Sequence, residues 1–415
     1  MSYAVSAHAA PIVRDRRVTP LFAGSALMNA AMAITSAAGG IAAAHRWGLS
    51  WGGIPATAGI VGTGIGAGGL SRLMARRGYR AGLVLGYTAA VAGAVLGSVA
   101  TARGDIAALV LAMLLLGFGN AAAQLSRYVA ADGFPRARRG RVIGMVVWAG
   151  AFGAVAGPLL IGPTGSAASR LGLVAASGSF LVAAPACAGA VAAVARASAD
   201  PAVTRRTAPA GATPFRDLLS ARAARRPLAV MATAQVVMVA VMTTVPIDMN
   251  MTGSGLGVVG MVVSAHTLGM FALSPLTGRL VDNGRSYPVM LAGLITMAVA
   301  TAPLMMAASL GRLTLGGLLF LLGFGWNLAF VAGSARLAEQ TETADRTSLE
   351  GAVDAGVWGV AAIAGAVGGA ILAHGGYAVL AASAVALAVL PVCVLAAPDH
   401  DGRCHPTKTA TKESK

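Results

Sequence analysis

The feature that most constrains this chain is a train of long apolar runs carrying almost no charge. They fall near residues 18–44, 51–71, 81–102, 105–131, 142–163, 171–195, 227–251, 256–280, 287–309, 312–337, 348–373 and 376–397. A helix needs roughly 20 apolar residues to cross the hydrocarbon of a bilayer, and each run meets or approaches that length. Twelve of them consume most of the 415 residues, so loops are short and no separate soluble catalytic domain fits. Composition agrees: 56% of residues are apolar and 11% charged, with 55 glycines and a mean hydropathy of +0.73. An ordinary soluble domain carries about 25% charged residues, and a disordered chain needs low hydrophobicity. The expected fold class is an all-α membrane protein with twelve transmembrane helices.

The formal net charge is +16, from 31 Lys and Arg against 15 Asp and Glu. A nucleic-acid-binding domain would gather that charge on one polar surface. Here it stands in short clusters between the runs, which is how membrane orientation is encoded. With both termini inside, the cytoplasmic segments hold 26 Lys and Arg, and the outer loops hold only Arg46, Arg103, Arg170 and Arg312. That asymmetry predicts a multi-pass plasma-membrane protein with both termini cytoplasmic. The chain then divides into a tail (1–17), a six-helix bundle (18–195), a linker rich in Pro, Ala, Thr and Arg (196–226), a second bundle (227–397) and a tail (398–415). Cys187, Cys393 and Cys404 are too scattered for a disulfide framework. Residues 1–17 lead into the first run without a convincing cleavage site, so that run is expected to be retained.

The two halves repeat. Leu114-Leu115-Leu116-Gly117-Phe118-Gly119-Asn120 recurs as Phe320-Leu321-Leu322-Gly323-Phe324-Gly325-Trp326-Asn327, displaced by 206 residues at Gly117 and Gly323. Arg127 answers to Arg336, and Val147-Trp148 to Val357-Trp358, at displacements of 209 and 210. A nearly constant displacement means two bundles of common descent. Two such halves joined by a basic loop have the architecture of a rocking-switch carrier.

After the eighth run the chain reads Gly278-Arg279-Leu280-Val281-Asp282-Asn283-Gly284-Arg285. This resembles the signature loop of the major facilitator superfamily, and the resemblance covers residues 18 to 397. In the first half, Ser71-Arg72-Leu73-Met74-Ala75-Arg76-Arg77-Gly78 keeps the basic residues and Gly78 but has Ala75 where that family carries Asp. The gating role of the first-half Asp therefore does not carry over. The fifth run contains Gly153-Ala154-Val155-Ala156-Gly157-Pro158, similar to the antiporter motif of superfamily exporters but without its further glycines. Glycines four apart let helix backbones approach closely, and Pro158 bends the helix. The resemblance also implies that facing helices of the two halves line a central solute cavity. On that basis Asn29, Met32, Asn120, Gln124, Trp148, Gln235, Met238, Met242, Trp326 and Asn327 are expected to contact the solute: flexible Met and flat Trp suit varied apolar bodies, and amides orient them.

An ionisable group inside a bilayer costs roughly 2.5–3.5 kcal/mol on insertion scales, so each one needs a reason. His266 lies near the middle of the eighth run, where it is either a proton carrier or a neutral ring bonded to a neighbouring helix. Glu350, Asp354 and Trp358 share one helix face at spacings of four. Asp354 is read either as a gate partner of Arg72 or Arg76 or as a second proton-coupling group, and Glu350 as part of the same gate. Arg127 with Asp132, and Arg336 with Glu339, occupy equivalent positions by the repeat, and Asp282 is expected to pair with Arg336 or to face the start of the fifth helix. Gly278 and Arg285 belong to the signature loop. Asp248 falls at the outer end of the seventh run, where an interfacial carboxylate needs no function.

Other motifs fail on context. Gly64-Ile65-Gly66-Ala67-Gly68-Gly69 fits a dinucleotide fingerprint, but it lies in an apolar span with no strand before it. His400, Asp401, Cys404 and His405 stand in a polar tail, where a disordered end is expected rather than a metal site. No catalytic residues, metal or cofactor are expected. The expected activity is proton-coupled export of a small apolar or amphipathic organic solute by a monomer that partners with solute, proton and membrane lipid, and with no nucleic acid. Nutrient uptake is the alternative, and a carrier-shaped receptor or scaffold a further one.

Overall fold

The computed structural model describes residues 18–132, 136–196, 222–282, 285–339 and 346–396. Among them every regular element is a helix. In order these are α1 (Thr19–Trp47), α2 (Ile54–Arg77), α3 (Tyr79–Arg103), α4 (Ile106–Asp132), α5 (Arg136–Leu159), α6 (Ile161–Arg170) and α7 (Ala175–Ala195) in the first half. The second half has α8 (Arg222–Met251), α9 (Leu256–Ala272), α10 (Ser274–Asp282), α11 (Ser286–Thr301), α12 (Arg312–Glu339) and α13 (Arg346–Ala396). Short 3-10 turns lie at Leu49–Trp51 and Ala302–Ser309. In lipid a helix satisfies its own backbone groups, so the apolar runs leave the chain no cheaper choice.

The elements resolve into twelve crossings. α5 and α6 form one span bent by 42°, with Pro158 inside the last turn of α5 removing a backbone donor just before the bend. The 51-residue α13 holds two spans, divided at Gly376, whose φ of +69° interrupts the helix. The other boundaries follow ordinary punctuation. Pro20 and Pro55 sit in the first turns of α1 and α2, and Gly48, Gly78 and Gly104 end α1, α2 and α3 at positive φ. α8 begins five residues before the expected bundle boundary at 227, and residues 197–221 of the expected linker lie outside the described residues.

The repeat seen in the sequence returns as packing. Gly86 of α3 lies against the Ala122 side chain and the Phe118 carbonyl of α4, and Gly293 of α11 lies against Ala329 and the Gly325 carbonyl of α12. Gly62 of α2 abuts the Leu114 carbonyl just as Gly269 of α9 abuts the Phe320 carbonyl. Each contact is one that a Cβ would fill, so glycine sets the helix separation at equivalent points in both halves. Each half has its own apolar core, one built around Met28, Tyr87, Leu116 and Phe180, the other around Val237, Met290, Leu294 and Leu322.

The ends of α2, α7, α12 and the start of α8 lie at one face, called here the basic face. The starts of α2, α4, α7 and α9 lie at the far face. Among the described residues, hydrogen bonds join the halves at three places in the far half of the bundle. His45 Nε2 stands 2.6 Å from Asn250 Oδ1, the Thr57 hydroxyl donates to the Ala362 carbonyl at 3.2 Å, and the Ser264 hydroxyl donates to the Val155 carbonyl at 2.7 Å. Backbones close on each other there as well, with Gly53 against the Gly365 carbonyl and Gly260 against the Pro158 carbonyl. The halves are thus sealed toward the far face.

Candidate transport pathway

Between the halves lies a cavity of about 230 Å³ lined by α1, α2, α8 and α9, with Met32, Ser36, Met238, Met242, His266 and Met270 on its walls. Three of these, Met32, Met238 and Met242, are residues expected to face a solute. The thioethers give a soft apolar wall that can repack around different shapes, with few polar groups among them.

Among the described residues His266 is the only ionisable one on that wall. It is 3% exposed, and its Nδ1 lies 2.9 Å from the Leu319 carbonyl oxygen of α12. A carbonyl only accepts, so Nδ1 carries the hydrogen and Nε2 of the neutral ring is a bare lone pair. Nε2 is buried without a partner among the described residues. Both sequence readings of this residue therefore meet in one geometry: one ring nitrogen ties α9 to α12, and the other is left over. The repeat explains why only one half has such a group. Gly323 packs on the His266 carbonyl as Gly117 packs on the Gly59 carbonyl, so the first half has no side chain at the matching position.

The remaining amides divide. The Trp326 indole donates to Gln235 Oε1 at 2.8 Å and stacks on Phe330 at 4.7 Å between centroids. With its oxygen so engaged, Gln235 turns a buried Nε2 that has no partner among the described residues. Asn327 is otherwise placed. Its Nδ2 donates to the Met270 carbonyl and to Ser274 Oγ, and its Oδ1 accepts from Thr277 Oγ1 at 2.6 Å. It is a buried tie between α12 and the α9–α10 junction, and its polar atoms are spent in place of facing a solute. Asn120 does the same on a smaller scale, donating to Thr63 of α2 at 3.1 Å, and Asn29 donates back to Ser25 in its own helix. Gln124 is half-buried in α4. Asp248, at the end of α8, is half-buried and accepts from the Thr252 hydroxyl through its backbone carbonyl.

Trp148 lies seven residues, two turns, toward the basic face from Val155 and therefore shares the α5 face that meets Ser264 of α9. Trp148 and the neighbouring Phe152 are each 69% exposed, and the contacts of α5 with α9 at Val155 and Pro158 lie toward the far face. The expected antiporter-like motif sits at those contacts. A methyl on Gly153 or Gly157 would overlap the carbonyls of Ala26 and Ala30 in α1, while Pro158 meets Gly260 of α9 in the other half.

At the basic face Arg72 and Arg76 are exposed near the end of α2, and Gly78, at φ +85°, makes the tight passage into α3. Gly278 lies within α10 and the exposed Arg285 just before α11. Arg336 places its guanidinium 5.0 Å from the centre of the Tyr287 ring, a contact that sequence reasoning missed. The side chains of Arg127, Asp132, Asp282, Glu339, Glu350 and Asp354 lie outside the described residues, as does the tail group at His400, Asp401, Cys404 and His405. Sequence reasoning also missed Ser264, Thr57, His45 and Asn250, which join the halves. Of these only His45, polar at the end of an apolar run beside Arg46, offered a signal.

A family model described as Major Facilitator Superfamily matches residues 249–414. A protein of Bacillus subtilis (strain 168), described as the uncharacterized MFS-type transporter YdeG, is 32% identical over 339 residues, 78% of this chain and 78% of its own. The riboflavin transporter RfnT of Brucella anthropi is 27% identical over 345 residues, 78% of this chain and 81% of its own. Among solved structures, that of a D-xylose-proton symporter superposes with a TM-score of 0.72 at 16% identity, covering 92% of this chain and 97% of the other. At that identity the likeness speaks for the fold alone.

Proposed function

The chain belongs to the major facilitator superfamily and is a membrane transporter, not an enzyme; from that premise we propose that it exports a small apolar or amphipathic organic solute in exchange for protons. The observation that carries this reading is His266, which lines the cavity between the halves and whose buried Nε2 has no partner among the described residues. A ring nitrogen there takes a proton when the cavity faces the proton-rich side and gives it up on the other. Solute and proton must bind the two access states unequally, since a ligand with equal affinity for both shifts nothing. With the basic face cytoplasmic, as the distribution of Lys and Arg supports, a molecule sealed at the far face is poised to load solute from inside. The Gly153–Pro158 segment, wedged between its own half and α9, supports an exporter's rocking motion at this point. Closure of the cytoplasmic side is assigned to pairing of Arg72 or Arg76 with Asp354 and Glu350 across the halves.

The test is a solute panel applied to liposomes that hold the purified transporter, an imposed pH gradient and an internal pH dye. Solute-dependent proton movement that disappears in His266→Ala, while that variant still folds, is the expected result. Solute flux that is indifferent to pH and unchanged by His266→Ala overturns proton coupling through this residue. A complete lack of flux for all solutes would instead favour a receptor.

A second reading, uptake of a nutrient, draws on the relative named as a riboflavin transporter and on the stacked Trp326 and Phe330 beside the buried Gln235 amide, which suit a flat heteroaromatic ring. Accumulation of labelled riboflavin in right-side-out vesicles favours it, and extrusion from loaded cells excludes it.

A further inference from the structure

A second cavity among the described residues is larger than the central one. It opens at the far face, has a volume of about 540 Å³, and is walled by Ile41, Trp47, Leu109, Ile161 and Leu256. Its polar rim carries Arg46 from the end of α1 and Arg103 from the end of α3, with His45 beside them, and no carboxylate among the described residues. Arginine is scarce at this face, where the outer loops hold only four, yet two of those four meet here. Arg46 lies over the turn at Gly104, the residue after Arg103, so close that a Cβ there would stand 2.8 Å from its Nε. The nearest acidic residue in sequence, Asp105, is not among the residues that line the hollow; its Oδ1 accepts from the Ala108 backbone N–H at 3.0 Å to cap α4. Two guanidinium groups lining one apolar hollow favour an anion there. The first turns of α7 and α9, at Ala175 and Leu256, also line the hollow and carry no side-chain cap, adding to the same positive field.

We propose that this hollow is a second binding site, separate from the central cavity, for an amphipathic organic anion: a carboxylate or phosphate held by Arg46 and Arg103, with its apolar body against Ile41, Trp47, Leu109 and Leu256. Its size is within the range of small-molecule pockets. Residues of both halves form it, since Asn250 and Leu256 complete a wall otherwise made by the first half. It therefore exists in this form only while the halves are closed at the far face, and an anion bound there stabilises that access state.

Trp47 supplies the probe. Its contribution to fluorescence is the difference between the native protein and Trp47→Phe, and ω-bromoundecanoate quenches an indole that it touches. In phosphatidylcholine nanodiscs the acid is expected to quench Trp47 at a concentration about tenfold below that of ω-bromoundecanol. Arg46→Gln combined with Arg103→Gln should erase that advantage, the double Lys replacement should restore most of it, and Arg312→Gln should leave it intact. Equal quenching by acid and alcohol, or an advantage that survives the double Gln variant with its native melting temperature, overturns the proposal. Adding phosphatidylglycerol distinguishes sources: competition with the acid that requires Arg46 and Arg103 assigns the site to a lipid headgroup, and its absence assigns it to free amphipathic anions.

Discussion

At Asn327 a single side chain makes three hydrogen bonds, to the Met270 carbonyl, Ser274 and Thr277. Replacing it with Leu keeps the volume but removes all three bonds and leaves Ser274 and Thr277 only their long bonds to the Met270 and Leu273 carbonyls, at 3.5 and 3.4 Å. Each net bond between membrane helices is worth about 0.6 to 2 kcal/mol, so Asn327→Leu should cost about 2–4 kcal/mol, against about 1 kcal/mol for Asn120→Leu, which loses one bond to Thr63. Thermal unfolding in detergent measures both, and equal melting of the two variants would contradict the role given to Asn327. The motif around Asn327 was visible in the sequence as a repeat of Asn120. Its partners were not, because Ser274 and Thr277 lie about fifty residues away and only the packing of α12 on α9 and α10 brings them together.

α5 shows what small residues decide at the scale of an element. Its contact with α1 is backbone on backbone, so Gly153→Ala has no flexible atom to push aside at Ala26. Gly64→Ala, by contrast, adds a methyl to α2 where nothing lies within 4 Å. The expectation is a loss of about 1–3 kcal/mol for the first and a neutral or slightly stabilising effect for the second, since alanine favours a helix over glycine by roughly 1 kcal/mol. Comparing melting temperatures and solute flux of the two variants checks this. Flux by Gly153→Ala at the native rate would remove α5 from the moving interface. Both substitutions look alike in the sequence, where each is Gly to Ala inside an apolar run.

For the whole molecule the decisive fact is that, among the described residues, the hydrogen bonds joining the halves lie toward the far face. His45 and Asn250 bridge the halves at the closed end. With cysteines at these two positions, in a background lacking Cys187, Cys393 and Cys404, a short bifunctional thiol reagent should hold that end shut. Turnover should stop, while solute still binds from the basic side. Continued turnover by the cross-linked protein would show that the far face need not open.

How many times the chain crosses oil and that it does so in two related sets of six were written in the order of residues, whereas some ends were not: α2 runs on to Arg77 past the expected 71, and α6 to Arg170 past 163. Partition into lipid acts on each residue separately, and helix punctuation at Gly78 or Gly104 reaches no further than a turn. Which amides are spent on packing, why Trp148 is bare two turns from the buried contact at Val155, and that Arg46 and Arg103 share one hollow were settled only in three dimensions. Those properties belong to pairs of residues from different helices, and a linear pattern carries the face of a helix but not the neighbour that the face will meet.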